Sequence, residues 1–350
     1  MASDQHLTAS LAALAAASAA AAVDPSDGEL PPGAVVLADR PDGTVVRVGD
    51  TVAKAHAADT DTTALTTRLA IAAHPLLHGI LLPPLPAPGG PPAAPPVPAA
   101  APAAPPPAPG PTPFPAPRGA PAATRPVTLW PYGSPVDRDT PAAAPWAAAG
   151  ELLARLHAVP WPRLSPAVPG PLPAMRGPAK AARAMSRLLA APGGAADSGA
   201  ARAVRRAWER LPGWARGEEP YEGPGALCHG DLHLGQLVRH PAPDGRWLLI
   251  DIDDLGAGAP AWDLARPAMW FAAGLLDPAA WSTFLAAYRA AGGVAVPPWG
   301  DPWPALDVAA RALAVQTAAL ALAKAAREAR ELDEAESQLV AACGRIAQLE

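Results

Sequence analysis

The chain has 350 residues, half of them apolar, and a formal net charge of −5. That length and composition allow one large two-lobed domain or two domains, and the acidic balance gives no basic surface for nucleic acid. Cys228 and Cys343 stand far apart without metal-ligand or redox spacing, so they read as free thiols of a reducing cytoplasm. In chain order, residues 1–33 come first: a low-complexity, alanine-rich N-terminus with no basic residue ahead of its apolar run, so no secretory signal is expected. An alanine helix here would present no amphipathic face, so the segment is expected to be mobile. "AVVLADR", "TVV" and "TVAKAHA", separated by Asp-Gly and Gly-Asp turns, predict three antiparallel strands over 34–40, 44–48 and 51–57. Leu65, Leu69 and Ala72 recur at helical spacing up to Pro75, and "GILLPPL" reads as a fourth strand. Residues 84–125, almost all proline, alanine and glycine, are expected to be a disordered insertion before a fifth strand in "RPVTLWPYGSPV". A tolerated solvated loop is the simpler reading of that insertion, and a proline-binding partner is the other.

Past Asp137 the pattern turns helical. Leu152, Leu153 and Leu156 form one stripe in "PWAAAGELLARLHAVP", and helices are predicted over 176–190, 199–215, 262–275, 278–292, 302–328 and 333–348. Two short apolar strands interrupt them, in "ALCHG" and in "RWLLIDID" at 246–253. No run of about 18 strongly apolar residues supports a membrane span. The expected architecture is α+β and bilobal, with a small antiparallel β lobe over 34–133 and a larger, mainly helical lobe over 134–350.

The stretch "LCHGDLHLGQLV" concentrates His229, Asp231, His233 and Gln236 among apolar neighbours. Burying that much polarity is costly unless each group is partnered or used. Asp251 ends the apolar strand "WLLI", and Asp253 shares its side of the strand by the period of two. Oxygen ligands from Gln236 and Asp251 suit Mg²⁺, which commonly binds through one or two carboxylates plus substrate phosphates. Asp231 is then free to orient a hydroxyl and accept its proton during attack on phosphorus.

"HGDLHLGQ", followed by "LIDIDD" and "WDLA", resembles the catalytic segment of the aminoglycoside phosphotransferase and choline kinase group, relatives of the protein kinases. "GELLARLHAVP" and "VTLWPYG" resemble that group's Leu-His helix and inter-lobe hinge. The resemblance covers most of residues 34–270. It implies a protein-kinase-like fold that moves the γ-phosphoryl of ATP to a hydroxyl of a sugar, aminoglycoside or related metabolite. Asp231 takes the catalytic role, His229 and Asp263 support its loop, and Asp251 binds metal. Gln236 stands where most of the family has asparagine, in a chain with no asparagine at all. "HGDLHLGQ" is also similar to the spelling in maltokinases, which moves the acceptor toward sugars. Lys54, one of only three lysines, falls where this fold pairs a lysine with nucleotide phosphates. Its carboxylate partner is not evident; Asp59 and Asp61 are the nearest acids at the following helix. Adenine would lie against the strand backbone at Val127, Leu129 and Trp130, and the nucleotide between the lobes.

Blander readings stand beside these. His229 and His233 can be buried histidines, Asp253 and Asp254 either a second metal contact or a solvated turn, and the tryptophans of the helical lobe core packing rather than a sugar platform. Arg176 and Lys180, in "MRGPAK", form a basic step between helices that can meet phosphate or, more simply, a solvated helix start, and Lys324 reads as surface. Asp-x-His at 231–233 also occurs in metallophosphoesterases, but no histidine follows His240 to complete such a site. A pseudokinase that binds nucleotide or a partner without transfer is the non-enzymatic alternative. The expected partners are ATP, Mg²⁺ and a small hydroxyl acceptor, with no nucleic acid and no membrane, in a cytoplasmic monomer or weak dimer. The identity of the acceptor and the choice between ATP and GTP are left open.

Overall fold

The computed structural model describes residues 2–18, 33–40, 43–86, 112–113, 125–164 and 168–348. They divide into two compact units, the first drawn from residues 1–136, 160–173 and 237–253, the second from 137–159, 174–236 and 254–350. The boundary expected at residue 133 is therefore incomplete, because the chain returns twice to the first unit.

In the first unit, β1 (Ala34–Arg40), β2 (Gly43–Val48), β3 (Thr51–His56), β4 (Thr112–Pro113) and β5 (Pro126–Pro131) form a sheet of order β1-β2-β3-β5-β4. All its pairings are antiparallel, with Lys54 opposite Val45 on one side and Thr128 on the other. Alternation gives the sheet two different faces. Val46, Val48, Ala53 and Ala55 are buried against the helix α1 (Ala2–Ser18) through Leu11, Ala12, Ala15 and Ala16, while Lys54 takes the opposite parity. The mobility expected of residues 1–33 is corrected for residues 2–18, where α1 docks; residues 19–32 lie outside the described residues. The alanines of α1 leave room for close approach to the sheet, and a face of small residues has no polar contrast to mark it.

The fourth strand expected in "GILLPPL" is also corrected. Ile80 and Leu82 bond the two backbone groups of Leu249, and the Leu85 N–H donates to the Leu129 carbonyl, so the segment bridges two sheets rather than extending one. Most of the proline-rich segment, 87–111 and 114–124, lies outside the described residues; its Thr112–Pro113 is paired with β5. The helix α2 (Thr62–Ala73) follows its expected bounds. A second, three-stranded sheet joins β6 (Ser134–Pro135), β8 (Leu237–His240) and β9 (Arg246–Leu249) in the order β6-β8-β9.

The second unit holds α3 (Trp146–His157), α4 (Gly177–Leu189), α5 (Gly199–Glu209), the single turn α6 (Gly213–Arg216), α7 (Ala261–Ala272), α8 (Pro278–Ala290), α9 (Trp303–Glu328) and α10 (Glu334–Ile346). The helix expected over 199–215 breaks at Pro212, which opens α6 instead. Among the described residues α9 alone has the length and apolarity to cross a membrane, yet 61% of its apolar window is buried, and α4, α5, α7 and α10 pack on it. It is the core helix of this unit. The strands β7 (Ala226–Cys228) and β10 (Gly256–Gly258) pair antiparallel, with Gly256 opposite Cys228, and carry the polar loops described next.

Candidate active site

In the first unit, Lys54 projects from the sheet face opposite α1. Its ammonium lies 2.8 Å from Asp251 Oδ1 and 3.0 Å from Asp253 Oδ2. Asp251 follows β9 in the left-handed region, at φ 63°. A non-glycine residue holds that conformation at a cost, and such strain concentrates at functional positions. Asp253 also faces the buried His56 Nδ1 at 3.2 Å, and His56 Nε2 meets the Thr128 hydroxyl at 2.9 Å. Burial disfavours charge on Lys54, but the two carboxylates outweigh it and hold the ammonium above the ordinary lysine range. Asp253 is likewise penalised by burial and held well below the usual carboxylate range by Lys54 and His56. The partner acid of Lys54 is thus at a strand end, not on α2. Asp61 instead caps α2, accepting from the Thr63 and Ala64 N–H groups at 2.9 and 3.0 Å, and Asp59 is exposed. Val127, Leu129 and Trp130 are buried in β5; the Trp130 indole N–H donates to Thr128, and the Leu129 carbonyl is already engaged by Leu85.

In the second unit, the loop after β7 is gripped by one turn of α7. Asp263 Oδ2 and Oδ1 accept from the backbone N–H groups of His229 and Gly230 at 2.6 and 2.7 Å. Three residues on, and so on the same helix face, Arg266 donates to Asp231 Oδ1 at 2.5 Å and to the Leu232 carbonyl at 3.1 Å. Asp263 is itself bonded to His157 Nε2 at 3.0 Å, and His157 Nδ1 meets the Tyr288 hydroxyl at 2.8 Å. His229 is fully buried, and its Nδ1 accepts weakly from the Asp231 N–H at 3.4 Å. Gly230 adopts φ 87° beneath the Asp254 carbonyl, where a side chain would collide.

From α4, Lys180 donates to Asp231 Oδ2 at 2.7 Å and to Asp254 Oδ2 at 2.6 Å. Arg176 approaches Asp254 Oδ1 at 3.5 Å. Burial would raise the Asp231 carboxyl, but Lys180 and Arg266 outweigh it and hold it well below the carboxylate range. Asp231 is therefore a firmly ionised acceptor with a cation on each oxygen. His157, Cys228 and Asp263 lie close enough together to suggest a metal site. The Asp263 oxygens already serve two N–H groups and a histidine, so the trio is a brace for the loop.

Asp251 and Asp253 offer hard oxygen donors beside a cation, a donor set that fits Mg²⁺ in company with phosphates. Gln236 belongs to the second unit, at the end of the 3₁₀ turn Leu234–Gln236, buried, with its N–H bonded to the His233 carbonyl at 2.9 Å. Lys180, Arg266, His56, His157 and Tyr288 are absent from the sequence-based set of site residues. Lys180 had a signal: it is one of three lysines, the same scarcity that marks Lys54. Arg266 had none in a chain rich in arginine.

The model of the phosphotransferase enzyme family matches residues 95–306. No curated protein sequence matches the chain. Among solved structures, spectinomycin phosphotransferase APH(9)-Ia in complex with ADP and spectinomycin aligns at TM-score 0.52 and 13% identity, covering 90% of this chain and 93% of that one. A mutant aminoglycoside 2'-phosphotransferase-IIIa in its GDP complex aligns at TM-score 0.50 and 13% identity, over 90% and 91% of the two chains. A choline/ethanolamine kinase family protein from Mesorhizobium loti aligns at 0.49 and 18% identity, over 100% and 96%. The fold is the α+β, protein-kinase-like one.

Proposed function

This chain belongs to the phosphotransferase enzyme family, with an alcohol group as acceptor, and on that premise we propose that it moves the γ-phosphoryl of ATP to a hydroxyl of a small molecule. The observation that carries the reading is the Lys54 ammonium clasped by two carboxylates past the end of β9, Asp251 and, in the 3₁₀ turn Ile252–Asp254, Asp253, almost two hundred positions away in sequence. Lys54 would bind the nucleotide phosphates. Asp251 and Asp253 would hold Mg²⁺, which when bound neutralises charge on the phosphate oxygens. Trp130, near the end of β5, is the place we assign to the base.

Asp231 orients the acceptor. Each carboxylate oxygen has a second lone pair, so a hydroxyl can donate to Asp231 without expelling Lys180 or Arg266. A carboxylate of depressed basicity is a poor base toward a free alcohol. In a loose phosphoryl transfer it need only align the hydroxyl and take its proton late, once the oxygen is bonding to phosphorus and has become acidic. His229 and Asp263 position the loop. Two free, buried thiols accord with a cytoplasmic location, and we expect a monomer or weak dimer.

The second reading, a nucleotide-binding protein of weak or no transfer, is favoured by the two cations already on Asp231. Titration with Mg·ATP and product analysis across hydroxyl compounds separate the two: binding with transfer supports the first, binding without transfer the second.

A further inference from the structure

We infer that the acceptor carries no positive charge, and that Lys180, with Arg176 beside it, selects for this. The inference rests on the phosphotransfer reading and narrows its substrate. Around Asp231 the second unit gathers two carboxylates, Asp231 and Asp254, and three cations, Lys180, Arg266 and Arg176. The local balance is one positive charge. Asp263, fully buried, spends its charge on His157 and two backbone N–H groups.

A polycationic acceptor needs unpaired acids, and several carboxylates of this part of the chain are already paired. Asp253 is held by Lys54 and His56, Asp254 by Lys180 and Arg176, and Glu218 by Arg216 at 2.5 Å. Glu219 and Glu222 are exposed. An ammonium group entering beside Asp231 meets Lys180, whose side chain keeps 28% of its surface open, and like charges brought together are strongly disfavoured. A neutral sugar hydroxyl has no such conflict, and a hydroxy acid gains from Arg176, which is 36% open.

The test is equilibrium titration of the full chain, with Mg·ADP present, using kanamycin as the polycation, maltose as the neutral compound and gluconate as the acidic one. Titration reads binding even where transfer is slow. Lys180→Met should remain folded, because Asp231 keeps Arg266 and Asp254 keeps Arg176; Arg176→Gln is the second variant. The expected result is kanamycin binding at least tenfold tighter to Lys180→Met than to wild type, with no comparable gain for maltose. Arg176→Gln should weaken gluconate alone, which tells an acidic acceptor from a neutral one. Tight kanamycin binding by wild type, or no gain in Lys180→Met, overturns the inference. Failure of Mg·ATP to bind at all would instead overturn the phosphotransfer reading.

Discussion

In the proposed reaction Asp231 combines two demands that conflict in a simple base: it would face an incoming hydroxyl, and it is held by Lys180 and Arg266. The conflict is resolved if its work is alignment and late proton acceptance. Asp231→Asn should then keep Mg·ATP affinity within a few-fold while transfer falls by roughly 10²-fold or more, the scale of a lost positioned base; rapid-quench kinetics check it. The depressed carboxyl also sets a pH dependence. A folded value below the unfolded one gives stability that is complete above the ordinary aspartate range, about pH 4, and is lost as pH falls through the lower value. Arg266→Gln should therefore move acid unfolding to higher pH, and an unchanged midpoint would speak against the pairing. In sequence, Asp231 stands out through its polar cluster and Asp251 through the apolar strand before it, whereas Asp263 is marked only by the resemblance of "WDLA" to the family. The Lys54–Asp251 pair was not legible, since only folding brings those positions together, and the resemblance points to the next helix for a partner.

Elements show the same division. Strands with alternating valines and helices with leucine stripes were readable to within a few residues. The helix α1 was not, because alanine gives every face the same character. Its packing is nonetheless specific: Leu11 is fully buried with Val46 and Ala53 in the core beneath the sheet. Leu11→Ala should cost about 2–5 kcal/mol in urea unfolding, the range for a large-to-small core change; a cost near zero would mean that α1 is not docked in solution. Helix α3 crosses α8 at Gly150, where an added Cβ would run into the Phe284 backbone. Gly150→Ala should lower stability by about 1–3 kcal/mol through overpacking, measurable in the same assay.

At the scale of the whole molecule, the chain supplies the nucleotide half of the proposed machinery from β3 and the 251–253 turn, and the acceptor half from the β7 loop, α4 and α7. Between Asp253 and Asp254 the chain passes from the first unit to the second. Asp251→Ala should weaken metal-dependent nucleotide binding yet leave acceptor affinity intact, a separation that titrations with each ligand would register. The most direct test of phosphotransfer itself is ³¹P NMR of wild type and Asp231→Asn with Mg·ATP and a pool of maltose, glycerol and gluconate. Wild type should yield ADP and a new phosphomonoester resonance in equal amounts, and Asp231→Asn almost none at matched nucleotide occupancy. Equal phosphomonoester from both proteins, or none from a wild type saturated with Mg·ATP, would contradict the account.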